Sequence, residues 1–85
     1  MQGREYYTDA KSVPATGVSV WRELSGNCKG IIIIPSVRSV SIKTLTGEEI
    51  SLGNVTSTTI FPYKVLEIKS DFGSGILANL VYELF

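Results

Sequence analysis

Short runs of β-branched residues, separated by glycine and proline, are the feature that most constrains how this chain folds. Valine, isoleucine and threonine supply 24 of its 85 residues, and such side chains are stiff at χ1 and fit a pleated surface. No stretch of about ten residues repeats its apolar positions at helical spacing. We therefore predict an all-β fold, a small antiparallel sandwich or barrel of about six or seven strands.

The small size of the chain raises the question of how it becomes stable. A domain of 85 residues buries only about 60–65% of the surface that its unfolded form exposes, and small scaffolds usually add disulfides, metals or association. The chain has no histidine and one cysteine, Cys28, so we expect no intrachain disulfide, no metal and no other cofactor. Association with itself is the remaining source of stability, and we predict a homo-oligomer, a trimer or a pentamer.

The charges exclude two classes of partner. Eight basic and eight acidic side chains balance and are scattered singly, so no basic stripe is present that would neutralise phosphates, and we expect no nucleic-acid partner. The longest apolar run, residues 30–35, is too short to cross a bilayer. Residues 1–7 lack the apolar core of a signal peptide. We expect a protein made in the cytoplasm, with no membrane partner.

Turn-forming residues divide the chain into an N-terminal arm, residues 1–17, and a β-domain, residues 18–85. In the domain, alternation of apolar and polar residues predicts a first strand at residues 18–22. The unbroken isoleucines of residues 29–34 predict a second strand that is buried on both faces.

The clearest hairpin in the sequence follows Pro35, which ends the isoleucine strand. Residues 39–44 alternate strictly and place Val40 and Ile42 inward, and residues 49–52 return with the same alternation. Between them Thr46-Gly47 predicts a two-residue turn, in which glycine supplies a positive φ.

A second hairpin is predicted to close the domain. Two strongly apolar segments, residues 60–69 and residues 76–85, flank the glycine-rich stretch 70–75. Glycine-containing connections between apolar runs are typical of hairpins. With no active-site loop in this layout, we expect a module that packs and assembles.

Short matches to catalytic and modification motifs are better explained as turns. Asp71-Phe72-Gly73 matches the metal-binding tripeptide of protein kinases, but the other kinase motifs are missing. Asn54-Val55-Thr56 fits the glycosylation sequon, and without a secretory signal it predicts a surface turn. Cys28 has no histidine to act as its base, so it is predicted to be a small buried residue at the start of a strand. We expect no catalytic residues and no enzyme.

The aromatic side chains are the candidates for contact with other subunits. One interpretation is that they cap the core of a small domain; the other is that they form an interface, where aromatics are enriched. We favour the interface because two tyrosines lie on the arm and a phenylalanine ends the sequence. The predicted interface residues are Tyr6, Tyr7, Trp21, Phe61, Tyr63 and Phe85.

An ordered series of motifs covers about two thirds of the chain. It consists of Cys28-Lys29-Gly30, the aliphatic run Ile31 to Ile34, Ser41-Ile42-Lys43-Thr44-Leu45-Thr46-Gly47, Phe61-Pro62-Tyr63-Lys64-Val65, the tip Gly73-Ser74-Gly75 and a final strand from Ile76 to Tyr82. This order resembles a group of small virion proteins of tailed phages and gene-transfer agents, of the capsid spike base or decoration type. The chain departs from the pattern at residues 35–38, which interrupt it, and at residues 83–85, which follow the tyrosine.

The resemblance implies a structural role in a virion. The chain would be a homo-oligomeric component attached to the capsid, in contact with the major capsid protein or another head or tail protein, and located in the virion. An adaptor at the neck or tail is the alternative. A second alternative is a small ligand-binding β-module, which needs exposed aromatics beside basic residues; Trp21 with Arg22 is the only such pair in the sequence.

Overall fold

The computed structural model describes residues 7–85 and confirms the all-β prediction, because these residues form two four-stranded antiparallel sheets and no helix. The strands are β1 (Ala10–Ser12), β2 (Arg22–Glu23), β3 (Gly30–Ile33), β4 (Val37–Thr44), β5 (Glu49–Val55), β6 (Thr59–Phe61), β7 (Val65–Ser70) and β8 (Val81–Leu84). The first sheet has the order β1-β8-β3-β6 and the second has the order β2-β7-β4-β5. Nothing in residues 7–85 forms a helix long and apolar enough to span a membrane.

The two sheets share one hydrophobic core of β-branched side chains. Ile31 and Ile33 enter it from the first sheet, and Val40, Ile42 and Ile68 enter it from the second, each without solvent exposure. Burying one such side chain contributes about 1.5–3 kcal/mol, so these positions supply much of the stability.

The isoleucine strand is buried on one face and only half-buried on the other. Ile32 and Ile34 alternate with the buried pair Ile31 and Ile33 and keep part of their surface open. The prediction of burial on both faces was therefore wrong for this strand. The physical reason is that the shared core lies on one side of this sheet, which leaves its other side facing outward.

The central hairpin is confirmed. β4 pairs with β5 in antiparallel register, with Ile42 opposite Ile50, and the predicted inward residues Val40 and Ile42 are buried. At the turn Gly47 has a φ of +84°, and its N–H donates to the carbonyl oxygen of Thr44 over 2.9 Å. The strand pairing and the positive φ of Gly47 are therefore as predicted. The predicted two-residue turn was too short, because residues 45–48 link the two strands.

Two register shifts interrupt the pairing of β4 with β5 near its open end. Ser39 there adopts a left-handed φ of +51°, and its N–H donates to Oδ1 of Asn54 over 3.0 Å. The side chain of the sequon asparagine therefore takes the place of a backbone acceptor in the ladder. Since β5 is an edge strand, such bulges also make its free edge irregular and less suited to pairing with another strand.

The predicted closing hairpin was wrong. Residues 60–69 are two strands in different sheets: β6 pairs with β3 in the first sheet and β7 pairs with β4 in the second. Pro62 lies in the three-residue link between them, where a residue without an N–H cannot extend a ladder. The final strand β8 pairs with β1 and β3 and not with β7, so residues 71–80 cross from one sheet to the other.

The predicted first strand, residues 18–22, was also largely wrong. Only Arg22 belongs to β2, and Val18 and Val20 are exposed. Ser19 has a φ of +60°, which is incompatible with an extended strand. The segment is instead a loop, held at one end by the Arg22 guanidinium, which donates from Nε to Oγ1 of Thr16 over 2.8 Å.

The predicted arm is divided by the structure. Residues 1–6, including Tyr6, lie outside the described residues, whereas Ala10–Ser12 form the edge strand β1 on β8. Val13 is buried in the core, and Thr16 forms an antiparallel bridge with Ile76. The described part of this segment therefore packs against its own domain.

The Cys-Lys-Gly motif has a packing role. Cys28 is buried, as predicted, and its thiol lies 3.6 Å from the carbonyl oxygen of Val65, so it links the loop before β3 to β7. A Cβ on Gly30 would lie 2.8 Å from the Phe61 carbonyl oxygen. Glycine is required there because β3 and β6 approach too closely for any side chain.

Candidate interaction surface

An apolar groove of about 430 Å³ lies at the end of β4, between the β4–β5 turn and the link from β6 to β7. Its apolar lining consists of Leu45, Ile50, Phe61 and Tyr63, and we call it the Leu45 groove. Leu45 is 66% exposed and Tyr63 is 63% exposed, although both side chains are large and apolar over most of their surface. An exposed apolar concavity of this kind typically marks a contact site.

The groove brings two of the predicted interface residues together. The rings of Phe61 and Tyr63 lie with their centroids 5.1 Å apart at an interplanar angle of 62°, an edge-to-face arrangement that aromatic pairs prefer. Phe61 also packs against the core, which fixes the pair. Lys64 lines the same groove and adds a cation at its margin.

Trp21 lies elsewhere, on the second sheet. Two cations lie close to its ring, with Nζ of Lys43 4.6 Å and Nζ of Lys69 4.8 Å from the ring centroid. The two lysines come from the adjacent strands β4 and β7, which bring them to one face. Trp21 is half-buried by this arrangement, so the indole covers part of the sheet and is not a freely projecting contact residue.

The remaining predicted interface residues lie near the chain ends. Tyr6 lies outside the described residues, and Tyr7 is half-buried, with its hydroxyl beside Gly30. Phe85 is half-buried against the core, and its N–H donates to the Asp9 carbonyl oxygen over 2.9 Å. In the described chain, Tyr7 and Phe85 therefore contact their own domain.

A second exposed apolar surface lies at the opposite end of β4. Phe72 is 50% exposed and Leu77 is 55% exposed, and together with Arg38 they surround a hollow of about 210 Å³. The Arg38 guanidinium lies 4.9 Å from the centroid of the Phe72 ring. We call these three residues the Phe72 surface. Since β4 has eight residues, the Phe72 surface lies about 23 Å from the Leu45 groove along the strand.

The sequence analysis missed Leu45, Phe72 and Leu77, although a signal was present. Leu45 lies in the turn two residues before Gly47, and Phe72 lies in the bend directly before the turn at Gly73. Turn positions usually carry polar or small residues, because they face water. A large apolar residue in a turn therefore indicates either a packing role or a contact site, and the exposure of these side chains favours the contact site.

The described residues present no arrangement for metal chemistry. Within residues 7–85, no group of three or more histidine, cysteine, aspartate or glutamate side chains is placed to hold a metal ion. The carboxylate of Glu83, which sequence reasoning did not single out, is buried instead in a structural contact: its Oε2 accepts hydrogen bonds from the Ser25 N–H over 3.0 Å and the Ser25 hydroxyl over 2.8 Å.

Comparisons with protein-family models, with curated proteins and with solved structures found no match for this chain. The resemblance to small virion proteins therefore stays a prediction from the sequence pattern.

Proposed function

We propose that this chain is a structural protein of a tailed-phage virion, a small β-sandwich subunit that forms a homo-oligomer and attaches to the capsid as a decoration or spike-base component. The proposal combines the motif order in the sequence with the exposed apolar surface of the folded chain. Its action is non-enzymatic: it covers apolar surface between subunits and so holds them in place.

The observation that carries the proposal is the pair of exposed apolar surfaces at the two ends of β4. Leu45 and Tyr63 at one end, and Phe72 and Leu77 at the other, are each at least half exposed. A monomer that remained free in solution would bear the cost of hydrating these side chains, about 25 cal/mol for each Å² of apolar surface. Contacts with neighbouring subunits remove that cost, which is the reason that assembled proteins retain such surfaces.

A small ligand-binding module is the second candidate, and Trp21 is the observation that favours it. The ring of Trp21 lies beside Lys43 and Lys69, and proteins that bind single-stranded nucleic acids combine aromatic and basic side chains in this way. Both lysines have acidic neighbours, however: Lys69 forms an ion pair with Asp71 at 3.5 Å, and Lys43 is opposite Glu67 in the ladder. These carboxylates offset the positive potential, so the structural role is the better supported one.

The proposal is tested on particles released by the bacterium that carries this gene. We expect quantitative mass spectrometry of gradient-purified particles to find the chain at a fixed copy number relative to the major capsid protein, because an attached subunit occupies equivalent sites. Separating heads from tails distinguishes a capsid position from the neck or tail alternative. Particles that lack the chain, while the soluble lysate contains it, would refute a structural role.

A further inference from the structure

Two of the residues that line the Leu45 groove are fixed by the core. Ile50 of β5 and Phe61 of β6 are half-buried, and both pack against the core residues. The two strands are edge strands of different sheets and do not pair with each other, so the groove opens between them. Its volume of about 430 Å³ lies in the range of sites that hold a ligand.

The exposed rim of the groove is held in place by local contacts. On one side the Thr44 N–H donates to the Glu48 carbonyl oxygen over 3.0 Å, which closes the turn that carries Leu45. On the other side Tyr63 lies edge-to-face on Phe61. A groove that is formed before its partner arrives loses little conformational freedom on binding, and this favours affinity.

The charge at the groove is positive. Among the described residues that line it, Lys64 is the one charged side chain, and it is exposed. No salt bridge within residues 7–85 involves Lys64. Glu48 lies in the adjacent turn and Glu49 lies in β5 opposite Lys43, and neither lines the groove. Charge complementarity therefore selects a partner that brings a carboxylate to Lys64.

We infer that the Leu45 groove binds a short segment of a different protein, in which a large apolar side chain lies next to an aspartate or a glutamate. The inference rests on the proposed function, because an attached subunit needs a site for a protein other than itself. The apolar side chain enters between Leu45 and the Phe61–Tyr63 pair, which offers aromatic edges and faces. The carboxylate pairs with Lys64 at the margin, where interfaces are typically polar.

A second copy of this chain is a less suitable occupant, because its other exposed apolar surface carries a charge of the wrong sign. The Phe72 surface includes Arg38, and the neighbouring Asp71 is already paired with Lys69 at 3.5 Å. Docking that surface in the groove would bring Arg38 toward Lys64, and two cations repel each other. We therefore expect changes in the groove to leave the oligomeric state of the chain unchanged.

The first test selects partners without assuming their identity. The probe is a library of random peptides displayed on filamentous phage and selected on the immobilised full-length chain. We expect the retained peptides to share a large apolar residue beside an acidic one. The Leu45→Glu variant should not retain them, because its carboxylate occupies the apolar rim. Leu45 is 66% exposed, so we expect the fold to tolerate the change, and circular dichroism verifies it.

Charge reversal at Lys64 gives the second readout. A synthetic peptide with the selected consensus, followed by fluorescence anisotropy, should bind Lys64→Glu at least about tenfold more weakly than wild type. A peptide with lysine in place of the acidic residue should prefer Lys64→Glu over wild type. Lys29→Glu is the matched control, because Lys29 is also exposed, lines neither hollow and changes the net charge equally. We expect this control to bind like wild type.

Four outcomes would overturn the inference. They are a selection that yields no consensus, a consensus without an acidic residue, equal affinities for Lys64→Glu and Lys29→Glu, and loss of self-association in Leu45→Glu. Native mass spectrometry measures the last of these, which would assign the groove to a second copy. All four are measured on the purified chain and do not decide its copy number in particles. The proposed function therefore stands or fails separately, by the particle measurement.

Discussion

Replacing Gly75 with alanine should lower the free energy of unfolding by about 3 kcal/mol or more, a large part of the stability of a small domain. Gly75 has a φ of +80°, which costs a residue with a Cβ about 1–2 kcal/mol. In addition, the new Cβ would overlap the Thr16 carbonyl oxygen and lie 2.6 Å from the Gly17 carbonyl carbon. Relieving that overlap costs about 1–3 kcal/mol more.

The overlap involves backbone atoms, so no side-chain rotation can relieve it. Thr16 and Ile76 exchange two hydrogen bonds, of 2.8 and 2.9 Å, directly beside Gly75. Ile76 is buried in the core. In the Gly75→Ala variant, residues 16–17 would have to move away from the new methyl group. That movement would break this bridge and also disturb the core.

Urea denaturation followed by the fluorescence of Trp21, the single tryptophan, measures the effect. Gly73→Ala is the matched control: Gly73 is in the same loop with a φ of +62°, and a Cβ there would meet no heavy atom within 4 Å. We expect Gly73→Ala to lower the free energy of unfolding only by the cost of the positive φ, about 1–2 kcal/mol. Equal losses for the two variants would contradict a destabilising contact between the new Cβ and the backbone of residues 16–17.

The second large effect is expected at Glu83. Glu83→Ala should destabilise the fold by about 2–3 kcal/mol, because hydrogen bonds to a charged group contribute more than neutral ones. The carboxylate is 6% exposed and receives both donors of Ser25. The Ser25 hydroxyl in turn accepts from the Asn27 N–H over 3.2 Å. The side chain of Glu83 therefore ties the loop that leads into Cys28 to β8, beside the backbone bond from the Lys29 N–H to the Leu84 carbonyl oxygen over 2.7 Å.

A double-mutant cycle with Ser25→Ala isolates the contact. Ser25→Ala alone should cost about 1 kcal/mol, because the backbone N–H still donates to Glu83. Glu83→Gln keeps one acceptor oxygen and the volume, so we expect it to fall between wild type and Glu83→Ala. Strictly additive losses in the cycle would mean that the two side chains do not interact in solution.

The parts of the fold that the sequence predicts are those controlled by local patterning. The β4–β5 hairpin follows from strict alternation and from Gly47, because side-chain period and turn chemistry act over a few residues. Which strands pair over long distances does not follow in the same way. Apolar residues 60–69 and 76–85 are compatible with a hairpin and equally with strands in two different sheets, and only the close packing of the whole core selects the second arrangement.

The candidate surface was predictable only in part, for a related reason. Aromatic residues are enriched at interfaces, and two of the residues that this rule selected, Phe61 and Tyr63, line the groove. The same rule also selected Trp21 and Phe85, which in the folded chain lie against two lysines and against the core. Aromatic identity alone does not distinguish exposed side chains from covered ones. Position in or beside a turn, as at Leu45 and Phe72, is the signal that does.

Photo-crosslinking in purified particles tests the central claim most directly, namely that the Leu45 groove is a contact between subunits of a virion. Tyr63 is replaced by a photo-reactive phenylalanine analogue, and assembled particles are irradiated and digested with trypsin. The account predicts adducts in which the peptide that contains position 63 is linked to another copy of this chain or to another virion protein. Particles in which position 63 forms no link to another copy or to any other virion protein would contradict it.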